Sequence, residues 1–123
     1  MPSTKNRVKA IIKDKKGRVL SLGQNSYFKT HPIMYKIAKQ KGIKTPVKIF
    51  LHAEVDAINK CKDINKAYRI EVYRTAYEKV KKDKILKYRL SRPCDICLSL
   101  IKKTPIREIC YFDSEENFIV EYL

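Results

Sequence analysis

Apolar positions change their period several times along the chain, and each change marks an element. Val8-Lys9-Ala10-Ile11-Ile12-Lys13 and Arg18-Val19-Leu20-Ser21-Leu22 are β-prone runs. Between them Asp14-Lys15-Lys16-Gly17 reads as a turn, with glycine where a positive φ is needed, so the two runs predict a hairpin. Gly23-Gln24-Asn25-Ser26 reads as loop. The spacing of Ile33, Ile37 and Ala38 predicts a helix from Ile33 to Lys41, with Pro32 in its first turn and Gly42 as its stop. Val47 to Leu51 leads into a second helix, about His52 to Cys61, with Ala53, Ala57, Ile58 and Cys61 on its apolar face.

Ile70-Glu71-Val72-Tyr73-Arg74 alternates as a half-buried strand. Tyr77 to Arg92 has no clean period and reads as a long, strongly basic loop. A third helix is expected from about Cys94 to Lys103, after Pro93 and before Pro105. Arg107 to Phe112 and Phe118 to Tyr122 read as strands. Only Asp113-Ser114-Glu115-Glu116-Asn117 separates them, and a parallel crossover needs a dozen or more residues, so they should be antiparallel. No repeat or second domain interrupts this order, and residues 1–123 read as one domain.

Composition changes this picture little, but charge does. The chain is 44% hydrophobic and 33% charged, as expected of a globular protein. No apolar run approaches the roughly 20 residues that span a bilayer. Met1 to Arg7 lacks the apolar stretch of a secretory signal, so a cytoplasmic location is expected. The net charge of +15 favours polyanionic partners such as nucleic acid or nucleotides. Lysine outnumbers arginine, the better reader of phosphate, so charge alone leaves nucleic-acid binding open. Of the four cysteines, Cys61 and Cys110 sit among apolar residues and read as small core residues.

The chemistry lies in His52-Ala53-Glu54 and Pro93-Cys94-Asp95-Ile96-Cys97. One His and two Cys make three ligands for zinc, and a catalytic zinc keeps its fourth position for water. Cys94 and Cys97, at i and i+3, share a helix face and can meet one ion. Glu54, two residues beyond His52, is placed to handle protons rather than to bind metal. A structural zinc knot would want a fourth protein ligand, and neither Cys61 nor Cys110 has a typical spacing for one.

This His-x-Glu … Pro-Cys-x-x-Cys pattern resembles the signature of the zinc-dependent cytidine/deoxycytidylate deaminase superfamily. The resemblance covers nearly the whole chain, and the tight terminal hairpin is similar to the free-cytidine branch rather than to the deoxycytidylate and tRNA-adenosine branches. It implies a three-layer α/β fold: a mixed sheet of about five strands, helices on both faces, the last two strands antiparallel. It also implies one zinc ion per chain, with Glu54 carrying protons between the attacking water, the ring and the leaving ammonia. By the family pattern Asn25 would bind the sugar or base, while the backbone of Ala53 and the carbonyl of Arg92 would meet the base edge. Lys29 and His31, in an exposed loop before Pro32, are further substrate-binding candidates.

Three functions fit. In the first, cytosine is deaminated in single-stranded DNA or RNA, with Tyr77, Lys82, Lys84, Lys87, Tyr88 and Arg89 forming a basic groove with stacking platforms beside the zinc helix. In the second, the substrate is a free cytidine nucleoside or nucleotide, and one or two lysines hold a 5′-phosphate. In the third, the chain is a nucleic-acid-binding module with zinc and no turnover. No membrane partner is expected, and oligomeric state is left open.

Overall fold

The expected hairpin forms because one side chain closes its turn. In the computed structural model, β1 (Arg7–Asp14) and β2 (Val19–Gln24) pair antiparallel, with Ile11 opposite Leu22. The Asp14 carboxylate accepts the backbone N–H of Lys16 at 3.0 Å and of Arg18 at 2.8 Å, and Gly17 takes φ 85°. Those bonds, that from Arg18 first, hold the Asp14 carboxyl below its usual value. The structure describes residues 7–25, 52–80 and 83–123, and of residues 77–80 and 83–85 only the backbone. The helix expected over 33–41 and the lead-in over 47–51 lie outside the described residues.

Among the described residues six strands make one mixed, mostly antiparallel sheet, in the order β2-β1-β3-β5-β6, with β4 also paired to β3. The longest is β3 (Ala67–Val80), which pairs antiparallel with β1. On its other edge Arg69–Glu71 runs parallel to β5 (Glu108–Phe112). The turn between β5 and β6 (Phe118–Tyr122) is as short as expected, and the two are antiparallel.

Two expectations need correction: Gly23 and Gln24, which read as loop, belong to β2, and the middle of the chain is strand rather than loop. The strand foreseen over 70–74 spans 67–80, and the supposed loop over 77–92 contains β4 (Asp83–Arg89), antiparallel to β3 from Arg74↔Arg89 to Val80↔Asp83. The order Lys84-Ile85-Leu86-Lys87 in β4, two apolar residues side by side between lysines, hides the period of two, while ladder bonds between backbones are indifferent to it. Residues of high β propensity do meet in register, as Thr75↔Tyr88 and Tyr77↔Leu86. Arg74 and Thr75 pair with β1 as well as β4, so β4 lies on the β5 side of β3. Beyond Thr75, the β3–β4 pair extends past the paired length of β1 as a two-stranded ribbon.

Helix α1 (Ala53–Lys60) and helix α2 (Asp95–Lys102) cover one sheet face. Ala53 and Ala57 of the first, Cys61 just after it, and Ile101 of the second bury against Ala10, Ile12, Ile70, Val72 and Ile109. Each fully buried large aliphatic side chain contributes ~1.5–3 kcal/mol. Cys61 and Cys110 are buried free thiols, as read from the sequence. On the opposite face, Tyr73, Tyr88, Phe112 and Phe118 form an aromatic cluster in which Tyr88 stacks on Phe112 at 4.4 Å. No described helix is long and apolar enough to cross a membrane.

Candidate metal centre and active site

The start of α1 is fixed by its contact with the end of β2. Gly23 lies so close that a Cβ there would collide with the Ala53 carbonyl and the backbone of Ala57. The Ser21 hydroxyl donates to the Ala57 carbonyl at 2.7 Å, and the Gln24 N–H donates to Asp56 Oδ2 at 3.0 Å. His52 is the extended N-cap residue, and its carbonyl accepts the Asp56 N–H at 3.0 Å. Glu54 follows as the second helical residue, 5% exposed.

The start of α2 is fixed by Ser91. Parallel pairing of β3 with β5 stops at Glu71 and Cys110. Just beyond, the Ser91 hydroxyl donates to the Val72 carbonyl at 2.8 Å and accepts the Phe112 N–H at 2.9 Å, while the Ser91 N–H donates to the Phe112 carbonyl. One buried residue thus fills the gap where the strands part, and three residues later Cys94 caps α2. The Cys94 carbonyl accepts the Leu98 N–H at 2.8 Å. Val55, Ile96, Cys97 and Leu100 pack as a small apolar cluster between the helices, with Cys94 against it.

These two helix starts bring His52, Cys94 and Cys97 together, their ligand atoms all within 4.8 Å of one another. His52 Nδ1 is 3.2 Å from Cys97 Sγ and 3.5 Å from Cys94 Sγ. Tetrahedral zinc with ordinary bond lengths needs N···S separations of about 3.6 Å, so this donor set fits the ion. The hydrogen bond from Cys97, with His52 alongside, holds the Cys94 thiol down to about 3 against its burial. Bonding to Cys94 and burial push Cys97 up. A bound cation would hold both sulfurs as thiolates and release their protons. Burial also pushes the Glu54 carboxyl up, opposed by its own backbone N–H and by the His52 charge. A carboxyl raised toward neutrality can both take and give protons.

The other residues singled out in the sequence are spread more widely. Asn25 directly follows β2 and continues its ladder: its N–H donates to the Val8 carbonyl at 3.1 Å and its Oδ1 accepts the Val8 N–H at 2.9 Å. Ala53 is the buried first residue of α1. The Arg92 guanidinium pairs with Glu121 on β6 at 3.1 Å. Lys29, His31 and Lys82 lie outside the described residues. Tyr77 and Lys84 take register positions opposite Leu86 and Lys79. Tyr88, 47% exposed, joins the aromatic cluster on the face away from the helices, whereas alternation puts Lys87 and Arg89 on the helix-bearing face. The basic segment is thus divided between two faces. Sequence reading passed over Gly23, Asp56 and Ser91. A glycine closing an alternating run was a usable sign of close backbone approach, but nothing local marked Ser91.

A family model described as the cytidine and deoxycytidylate deaminase zinc-binding region matches residues 2–113. No curated protein matches the chain.

Proposed function

The chain belongs to the cytidine and deoxycytidylate deaminase family, a family of zinc-dependent deaminases, and from that premise we propose that it converts cytosine to uracil in single-stranded nucleic acid. The observation that supports the polymer reading is the β3–β4 ribbon. It reaches past the paired length of β1, carries Lys87 and Arg89 on the helix-bearing face, and runs within five residues from Arg89 into the Cys94 cap. A basic ribbon beside the reacting centre would track a phosphate backbone. A free cytidine nucleoside or nucleotide is the second reading, favoured by the tight antiparallel β5–β6 hairpin.

In this proposal His52, Cys94 and Cys97 hold one zinc ion. When bound, zinc lowers the pKa of water to about 7 and so supplies hydroxide at neutral pH. Glu54 moves the protons: it takes one from the attacking water and delivers it to the ring nitrogen. With the C4–O bond formed, it passes the second proton, from the new C4 hydroxyl, to the departing amine, as the C4–N bond breaks and ammonia leaves. Burial of Glu54 against Cys97 keeps bulk water from competing for those protons. Both helix starts add their N-terminal dipoles, which favour negative charge on the sulfurs and the nucleophile.

The test is direct. Zinc-loaded protein is incubated separately with cytidine, dCMP and a cytosine-containing single-stranded oligonucleotide, and ammonia and product mass are measured. Turnover of the oligonucleotide that falls steeply with salt supports the proposal. Turnover confined to cytidine or dCMP selects the second reading. Glu54→Ala should lose ~10²–10⁴ in kcat while retaining zinc; a protein that binds nucleic acid equally well with and without Glu54 and turns over none of the three substrates would be a non-catalytic zinc module.

A further inference from the structure

One rung of the sheet crosses four strands at the mouth of the site. Asn25 bonds Val8 reciprocally, Val8 pairs with Arg74, and Arg74 pairs with Arg89. The next rung inward on the same face is Gly23, Ala10 and Val72. The first residue of α1 rests on Gly23, and Ser91, three residues before Cys94, is bonded to Val72. The Asn25–Arg89 rung therefore lies about 7 Å further out, just beyond both helix starts, where a substrate held at the metal centre would extend.

On this rung the charges are unbalanced. Arg74 and Arg89 are directly opposite, and like charges so placed repel. Arg74 Nε is buried and has no hydrogen-bond partner, and no ion pair involves either arginine among the described residues. The nearby Asp56 carboxylate is already occupied by Lys60 and by the Gln24 N–H. A buried guanidinium donor left unsatisfied is costly, and a bidentate anion between two guanidinium groups would offset both the missing bond and the repulsion.

We propose that Arg74, with Arg89 beside it, is an anion subsite that takes the phosphate of the substrate, carried either by a mononucleotide or by a strand. What carries the phosphate rests on the deaminase reading; the subsite itself does not. Arg74 is on β3, outside both motifs, and acts by holding substrate rather than by touching the reacting atoms.

Inorganic phosphate titrated into the zinc-loaded protein should shift the Arg74 Nε–H signal in NMR spectra, and Arg74→Gln should weaken phosphate binding tenfold or more. In the same variant the ratio of kcat/KM for dCMP to that for cytidine should fall at least tenfold if a mononucleotide is the source. The oligonucleotide-to-cytidine ratio should fall instead if a strand is. Arg89→Gln, at an exposed position, repeats the comparison should Arg74→Gln fail to fold. An Arg74 signal indifferent to phosphate, or unchanged ratios in an enzyme that turns over cytidine, overturns the subsite. A phosphate-dependent signal in a protein that deaminates none of the three substrates upholds the subsite and removes the deaminase reading.

Discussion

Glu71 shows how much a single side chain can hold on the sheet face away from the helices. Its carboxylate is 3.0 Å from Lys13 Nζ, accepts the Tyr73 hydroxyl at 2.8 Å, and lies 3.4 Å from Arg69. Burial alone would raise its pKa, but the bonds from Lys13 and Tyr73 outweigh burial and hold it below its ordinary 4.5. Tyr73, half-buried and bonded to Glu71, is pushed up to about 12 by desolvation and that bond. A carboxyl with a lowered folded pKa contributes stability that is complete above its unfolded pKa and is lost as pH falls through the folded one. Glu71→Gln should therefore cost ~1–3 kcal/mol at neutral pH, and flatten the loss of stability below about pH 5. Urea unfolding across that range checks both. At this scale His52, Glu54, Cys94 and Cys97 were legible because their spacing along the chain is itself the signal. Glu71 and Arg74 were not, because their meaning depends on neighbours from other strands.

At the scale of elements, the approach of α1 to β2 decides where His52 and Glu54 stand. Gly23→Ala should push α1 away from the sheet, since the added carbon meets backbone that cannot rotate aside. The expected cost is ~1–3 kcal/mol in stability, together with weaker zinc retention, read by thermal melting and by metal content after dialysis. Gly17→Ala provides a contrast: space around Gly17 is open, so its cost comes only from φ 85° and should leave zinc retention alone. Elements built by local rules were readable: the Asp14–Gly17 turn, the proline-flanked helix α2 and the short β5–β6 connection. The β3–β4 ribbon was not, because adjacent Ile85 and Leu86 hide the alternation and its order comes from backbone pairing with a partner strand.

For the molecule as a whole, zinc would join two helices that otherwise meet through the small cluster of Val55, Ile96, Cys97 and Leu100. Binding the folded state alone at a thousandfold excess over Kd adds ~4 kcal/mol. Removing the ion with a chelator should thus lower the melting temperature by about 15 °C, with recovery on adding zinc; scanning calorimetry before and after would show it. An unchanged melting temperature would mean that these three residues bind no metal. The sequence by itself determined the donor set, the family, the hairpins at both ends of the sheet and the excess of positive charge, because each is written in spacing, turn chemistry or composition. Only the tertiary structure decided that β3 shares one edge between β4 and β5, that Ser91 fills the gap between the parting strands, and that Asn25, Arg74 and Arg89 lie on one rung beyond the helix starts. Those facts depend on strand register, and register is a relation between distant segments that no local pattern in the chain specifies.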